Sequence, residues 1–153
     1  MNKLAIFGCG GHGQVSISIA RSIGWSQISL FDDNYHNINN VDGNNLVGDF
    51  ECLKKDINTY GAVFVAIGNN FKRRILIEEL SKIRANLISL IHESSQLAED
   101  ISIGANCIIM PNSTINTGTA ISDGAIINSG SIIEHHCTIG KFTHIAPNST
   151  ICG

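Results

Sequence analysis

Three histidines near the C-terminus are the side chains best suited to proton transfer: His135, His136 and His144. Histidine has an unperturbed pKa of about 6.5, so its neutral ring can accept a proton from an attacking amine or hydroxyl near neutral pH. Clustered histidines are also typical ligands of a catalytic zinc ion. The residues alone leave both kinds of chemistry open.

A second set of candidates follows the first predicted strand, residues 3–7. The turn GCGGHG comes next, and a helical pattern then runs to Gly24. Glycines in such a turn let the backbone approach a phosphate, and the helix presents unpaired N–H groups and the positive end of its dipole. The candidate phosphate-binding residues are Gly10, Gly11, His12 and Gly13.

Two more polar segments come directly after predicted strands. Asp32 and Asp33 stand roughly 20 residues beyond the glycines, where a dinucleotide fold binds a ribose hydroxyl. Gly68 and Asn69 follow the strand 62–67. Because ligands of parallel sheets bind beyond the carboxyl ends of the strands, we expect these residues to converge on one ligand.

The number of strands limits the size of that ligand. A sheet of about four strands is too small for the two mononucleotide halves that bind NAD, so a single nucleotide is favoured. The strands are predicted at 3–7, 28–31, 62–67 and 87–91, with a helix at 51–57. Another predicted helix carries the inward-facing side chains Phe71, Ile75, Leu76, Leu80 and Ile83.

From residue 97 onward the sequence has a period of six. An aliphatic residue recurs ten times in register, with a mostly small residue four positions after it. This period fits neither an amphipathic helix nor an alternating strand. It predicts a triangular β-helix of about three coils, with His135 and His144 on neighbouring strands. The aliphatic residues are Leu97, Ile103, Ile109, Ile115, Ile121, Ile127, Ile133, Ile139, Ile145 and Ile151.

Charge and composition exclude several kinds of partner. The net charge of −3 comes from mixed signs, without the basic stripe of a nucleic-acid-binding protein. No apolar run reaches the ~20 residues of a membrane span, and the start does not read as a signal peptide. Five cysteines without a CxxC pair predict free thiols. We therefore expect a cytoplasmic protein that binds neither nucleic acid nor membranes.

The motifs GCGGHG, AIGNN, LIH and IIEHHCTIGKFTHIAPNSTICG together resemble the bacterial sugar O-acyltransferases of the sialic-acid O-acetyltransferase type. This family includes the N-acetyltransferases of UDP-4-amino-sugars. The resemblance implies a Rossmann-like nucleotide-sugar-binding domain at 1–92. It implies a left-handed β-helix acetyltransferase domain at 93–153 that uses acetyl-CoA and needs no metal. It also implies a homotrimer with active sites between neighbouring subunits, acting in surface glycan biosynthesis.

The same resemblance implies a role for each candidate. Gly10, Gly11, His12 and Gly13 match the loop that holds the sugar-nucleotide phosphates, and Asp32 and Asp33 match the pair at the nucleoside end. Gly68 and Asn69 match the substrate-binding IGNN motif. His135 matches the catalytic base, with His136 beside it as a second catalytic candidate, and His144 matches a histidine that contacts acetyl-CoA.

Two departures from the family pattern keep alternatives open. His136 stands where the family has Asp or Glu, so the acid that supports the base comes from elsewhere or catalysis is weakened. The repeat also stops at Gly153, before the coils that carry much of the family's CoA site, so we expect a shortened domain. The alternatives are O-acetylation of sialic acid or a related sugar, a non-catalytic sugar-nucleotide-binding relative, and a zinc enzyme of the γ carbonic anhydrase type.

Overall fold

The computed structural model describes residues 3–37, 40–41, 43–44 and 46–153. The chain divides into two compact units, Met1–Ile88 and Ser89–Gly153, which are described separately below. The sequence places the boundary a little later, after residue 92. The difference arises because Leu90–Ile91 pairs with a strand of the second unit.

Four parallel strands form the sheet of the first unit, among its described residues, in the order β3-β2-β1-β4. The neighbouring strands β1 and β4 are almost fully buried, as expected for a parallel sheet covered on both faces. The strands are β1 (Lys3–Phe7), β2 (Gln27–Phe31), β3 (Leu46–Gly48) and β4 (Ala62–Val65).

The described residues of this unit also form three α-helices, of which the first two connect strands of the sheet and the third follows β4: α1 (Gly11–Ser22), α2 (Phe50–Lys55) and α3 (Asn70–Lys82). Two short 3₁₀ helices lie at Tyr35–Asn37 and Ile57–Thr59. Asp49 caps α2 by accepting a hydrogen bond from the Cys52 N–H. Within the described residues, no helix combines the length and apolar character needed to cross a membrane.

The number of strands in this sheet agrees with the sequence prediction, but one of the predicted strands is wrong. The predicted strand 87–91 is divided between the units: Leu87 makes a single bridge with Val63, and Leu90–Ile91 joins the second unit. The edge strand β3 takes the fourth place, and its three residues are too few to give a periodic signal.

The inward face of α3 also differs from the predicted one. Leu76 and Leu80 are buried as expected, whereas Phe71, Ile75 and Ile83 are exposed. Arg73 lies on the buried face instead, with only 1% of its surface exposed. The helix is rotated relative to the prediction because Arg73 makes hydrogen bonds that an aliphatic side chain could not make.

The second unit is a three-sided parallel β-helix. Its residues, all of them described, form eleven two-residue strands, with faces of four, four and three strands. The strands are β5 (Leu90–Ile91), β6 (Gln96–Leu97), β7 (Ser102–Ile103), β8 (Ile108–Ile109), β9 (Thr114–Ile115), β10 (Ala120–Ile121), β11 (Ile126–Ile127), β12 (Ile132–Ile133), β13 (Thr138–Ile139), β14 (His144–Ile145) and β15 (Thr150–Ile151).

The hexapeptide pattern fills the interior of this β-helix as predicted. From Ile109 to Ile145 every sixth residue is buried, together with small side chains that include Cys107, Ala125 and Cys137. Buried hydroxyl groups are satisfied by turn carbonyls; Ser131 Oγ, for example, donates to the carbonyls of Asn128 and Ala146. Leu97, in contrast, is 37% exposed.

A second six-residue rhythm lies in the turns between strands. From residue 106 to residue 148, the residue after each corner has a positive φ angle. This left-handed conformation suits glycine and asparagine, whereas other side chains adopt it at a cost. The residues are Asn106, Asn112, Gly118, Gly124, Gly130, His136, Phe142 and Asn148.

Candidate active site

The glycine turn of the first unit sets the start of α1 at the carboxyl end of β1. Gly10 precedes the helix, and no side chain caps the helix N-terminus. A Cβ atom at Gly13 would lie 2.1 Å from the carbonyl oxygen of Gly8, so the close approach of turn and helix requires glycine there. A Cβ atom at Gly10 or Gly11 would meet nothing within 4 Å. Packing within the chain therefore does not explain these two glycines.

Asp32 connects the end of β2 to this glycine turn. Its Oδ2 accepts a hydrogen bond of 2.9 Å from the Cys9 N–H, and its Oδ1 accepts one of 2.9 Å from the Asn34 N–H. Both carboxylate oxygens thus accept hydrogen bonds from backbone N–H groups. Asp32 shapes the site by fixing two of its loops.

Asp33 has a different environment from its neighbour. Its side chain is 53% exposed, and its Oδ2 lies 3.6 Å from Nζ of Lys72 in the first turn of α3. Its Oδ1 accepts a long hydrogen bond of 3.4 Å from the Phe50 N–H. The carboxylate of Asp33 and the ammonium of Lys72 therefore form the polar rim at this edge of the sheet.

The segment between β4 and α3 completes this edge. A Cβ atom at Gly68 would lie 3.9 Å from the Cβ of His12, so the IGNN segment lies beside the first turn of α1. Asn69 caps α3, because its Oδ1 accepts the Lys72 N–H at 2.9 Å. The first unit thus brings together the glycine turn, the aspartate pair and the IGNN segment, as the sequence predicts.

Arg73 holds the IGNN segment in place through hydrogen bonds to its backbone. Its buried guanidinium group donates to the carbonyl oxygens of Ile67 at 2.9 Å and Gly68 at 3.0 Å. A third hydrogen bond, of 2.9 Å, goes to Oδ1 of Asn70. A guanidinium group offers several donors in a fixed plane, which suits it to holding a run of carbonyl groups.

Cys9 lies inside the glycine turn and is not suited to nucleophilic chemistry. Burial, with a further contribution from the negative charge of Asp32, raises the pKa of its thiol to about 12. Its Sγ also contacts the carbonyl oxygen of Phe31 at 3.6 Å. The thiol therefore stays protonated at neutral pH and serves for packing.

In the second unit, His135 and His136 lie in the turn between β12 and β13. The two Nδ1 atoms are 3.1 Å apart, and the ring planes are 75° apart. Both side chains are exposed. With Nδ1 of His135 engaged by its neighbour, Nε2 is the ring atom left to accept a proton from a substrate.

His144 is the first residue of β14, and β12, β13 and β14 lie on three different faces of the β-helix. This corrects the predicted placement. It does not lie on a strand neighbouring one that carries His135, because His135 occupies a turn and β13 lies between the two histidines. The Nε2 of His144 lies 3.0 Å from Nδ2 of Asn128 on the preceding coil. In the part of the chain that the structure describes, no group of three or more His, Cys, Asp or Glu side chains is arranged to hold a metal ion.

Comparison with known proteins identifies the family. A family model for the PglD N-terminal domain matches residues 3–80, just over half of the chain. The structure matches that of PerB from Caulobacter crescentus in complex with CoA and GDP-perosamine, with 30% sequence identity and a TM-score of 0.88. The match covers 99% of this chain and 72% of PerB. The chain belongs to the PglD family of hexapeptide-repeat sugar acetyltransferases.

Two further relatives agree with this assignment. The acetyltransferase domain of PglB from Neisseria gonorrhoeae, in complex with acetyl coenzyme A, is 29% identical with a TM-score of 0.92, over 97% of this chain and 72% of that one. A variant of the Caulobacter crescentus perosamine N-acetyltransferase, with CoA and GDP-perosamine, is also 29% identical, with a TM-score of 0.89 over 99% and 71%. The β-helix is accordingly the left-handed one of the PglD family.

Sequence reasoning missed two residues of this PglD-type edge. Arg73 was hidden by its charge, although it stands in register with the buried Leu76, Ile77 and Leu80 of α3. That helical spacing is the signal that could have found it. Lys72 had no such signal, because its position opposite Asp33 depends on how α3 packs beside the end of β2.

Proposed function

We propose that this protein transfers the acetyl group of acetyl-CoA to the amino group of a nucleotide-linked amino sugar, for surface glycan biosynthesis. The observation that carries the proposal is His135, an exposed turn histidine whose Nδ1 is held 3.1 Å from Nδ1 of His136. With Nδ1 engaged in that contact, Nε2 is the ring nitrogen that accepts the substrate proton in this proposal. Membership of a family of sugar N-acetyltransferases supports the choice of acceptor.

The first unit supplies the binding site for the nucleotide sugar in this proposal. The N-terminus of α1, which no side chain caps, presents backbone N–H groups and the positive end of its dipole to phosphate oxygens, and Gly10 and Gly11 leave room for them to approach. Asp33 and Lys72 contact the nucleoside end, with Asp32 fixing the loops around it. His12, Gly13, Gly68 and Asn69 shape the remainder of the site.

The second unit carries out the transfer. As the sugar nitrogen forms its bond to the acetyl carbonyl carbon, Nε2 of His135 accepts the proton that the nitrogen loses. A backbone N–H stabilises the oxyanion, the C–S bond breaks, and the proton passes from His135 to the CoA sulfur. No covalent acyl-enzyme is required. His144 contacts acetyl-CoA.

The proposal extends to assembly and location. Three copies of the chain form a homotrimer with active sites between neighbouring subunits, as the family resemblance implies. The protein works in the cytoplasm, which is consistent with its five free thiols. Light scattering coupled to size-exclusion chromatography measures the assembly directly.

The decisive experiment is an acetyl-transfer assay on the full chain. Release of CoA is followed with a panel of UDP- and GDP-linked amino sugars, and the matching hydroxy sugars test O-acetylation. We expect transfer to an amino sugar and a loss of at least about 100-fold in kcat for His135→Ala, the range for a general base. Thr138→Ala, an exposed strand residue of the same coil, is the matched control.

Two results would contradict the proposal. Full turnover by His135→Ala at saturating acetyl-CoA would remove His135 from the mechanism. Binding of a nucleotide sugar in calorimetry without any CoA release would identify a non-catalytic relative.

A further inference from the structure

His136 occupies one of the left-handed turn positions of the β-helix, with a φ angle of 58°. Its counterparts in the other turns are glycine, asparagine and one phenylalanine. A side chain other than glycine is strained in this conformation and persists where its surroundings hold it there. The imidazole of His136 therefore requires an explanation beyond the turn.

The ring of His136 packs against the equivalent turn of the preceding coil. A Cβ atom at Gly118 would lie 2.7 Å from Cδ2 and 3.1 Å from Nε2 of His136. The Cδ2–Nε2 edge thus faces Gly118, and glycine is needed there for the ring to fit. The opposite side of the ring faces His135, through Nδ1.

Asp100 lies one further coil back, beneath the same corner. Its Oδ2 accepts hydrogen bonds from Oγ1 of Thr117 at 2.7 Å and from the Gly118 N–H at 3.1 Å. These bonds hold the pKa of Asp100 below its usual range, and the positive charge of a protonated His136 lowers it further. A carboxylate therefore stands within electrostatic reach of the His136 edge that carries Nε2.

This arrangement decides which ring atoms carry protons. A carboxylate only accepts hydrogen bonds, so the side of His136 nearest Asp100 favours Nε2–H over a lone pair. The Gly118 N–H donates to Asp100 and is therefore not a donor to Nε2 of His136. With its proton on Nε2, His136 must accept at Nδ1, so the shared contact of 3.1 Å takes its proton from Nδ1 of His135.

We infer that Asp100 and His136 form a positioning pair that holds His135 in the tautomer with a free Nε2 lone pair. This inference rests on the proposed function for its effect on rate. When Nε2 of His135 accepts the substrate proton, the Nδ1 proton moves across to Nδ1 of His136. His135 is then neutral, and the positive charge lies on the ring nearer Asp100 until the proton returns to Nδ1 of His135 as Nε2 gives its proton to the CoA sulfur. Asp100 thus supplies the negative charge that a carboxylate directly beside the base would otherwise supply.

Substitution of Asp100 by Asn tests this pair, since Asn keeps an acceptor oxygen for Thr117 and Gly118 while removing the charge. We expect kcat to fall about 10-fold with little change in either KM, a smaller loss than for a buried triad aspartate because this corner is exposed. In the His136→Glu variant, the new carboxylate accepts the hydrogen bond from Nδ1 of His135 directly. Adding Asp100→Asn to that variant should therefore leave its kcat unchanged. An equal loss in both backgrounds would assign Asp100 a purely structural role and overturn the inference.

Nitrogen-15 NMR of the histidine rings gives a second readout that needs no substrate. The wild-type chain should show His135 protonated at Nδ1 and His136 at Nε2, and Asp100→Asn should shift both rings toward mixed tautomers. The same tautomers in both proteins would overturn the inference even if acetyl transfer is observed. Tautomers that respond to Asp100 in a protein without transfer activity would uphold the pair and reject the proposed function.

Discussion

The carboxylate of Asp32 accepts a 2.9 Å hydrogen bond from the backbone N–H of Cys9, and so ties the end of β2 to the glycine turn. Asp33, the next residue, points its carboxylate toward Lys72 instead. Two adjacent aspartates that look equivalent in the sequence therefore have different tasks. Asp32 fixes the position of the glycine turn, whereas Asp33 presents a half-exposed carboxylate that pairs with Lys72.

Substitution of the two aspartates by Ala should separate these tasks. Asp32→Ala leaves two backbone N–H groups without their acceptor, so we expect a loss of about 1–3 kcal/mol in the free energy of unfolding. Asp33→Ala removes an exposed ion pair and should change it by less than about 1 kcal/mol. Urea denaturation measures both, and calorimetry with UDP- and GDP-sugars should show weaker binding for each variant. Unchanged binding by Asp33→Ala would rule out its proposed contact.

Two glycines in the first turn of α1 give a matched pair for the phosphate site. Gly13→Ala places a Cβ atom 2.1 Å from the Gly8 carbonyl oxygen and should cost about 3 kcal/mol or more. The Cβ atom in Gly11→Ala meets no atom of the chain within 4 Å. Its higher helix propensity should raise the free energy of unfolding by at most about 1 kcal/mol. We expect Gly11→Ala nonetheless to weaken nucleotide-sugar binding at least several-fold, because the methyl group stands where phosphate approaches. Normal affinity in that variant would place the phosphate elsewhere.

Ile132 and Ile133 test the register of the β-helix within one strand. Ile133 is fully buried in the prism, so Ile133→Ala should cost about 2–5 kcal/mol. Ile132 is 38% exposed, and Ile132→Ala should cost about 1 kcal/mol, mainly through lost strand propensity. Thermal and urea unfolding give both values. A reversed order would mean that the strand faces the other way.

The five cysteines should differ sharply in reactivity. Cys152 is exposed, whereas Cys9, Cys107 and Cys137 are buried. Burial raises the pKa of Cys9 to about 12, so its reactive thiolate is scarce below that pH, compared with about 8.5 for a free cysteine. Iodoacetamide at pH 8 should modify Cys152 within minutes and leave Cys9 intact, as read by peptide mass spectrometry. All five should react in guanidinium chloride, and rapid modification of native Cys9 would contradict the structure.

Most of the architecture could be predicted from local sequence patterns. The six-residue period from Leu97 to Ile151 predicts the β-helix, because a triangular coil places every sixth residue toward one interior and buries those from Ile109 to Ile145. The turn GCGGHG likewise determines a strand, a tight turn and a helix in that order. These features depend on residues near one another in the chain. The sequence therefore contains them without reference to the rest of the fold.

Other features depended on contacts between residues distant in the chain. The different tasks of Asp32 and Asp33 depend on where Cys9 and Lys72 lie, and no spacing within the aspartate pair indicates it. The burial of Arg73 reflects carbonyl groups that point toward α3, which a charged residue does not predict. The neighbourhood of Asp100 and His136 arises because three successive coils stack the same corner, with Gly118 on the middle one. The sequence by itself determined the repeat and the candidate residues, whereas only the tertiary structure decided which of them meet, since stacking and packing set those distances.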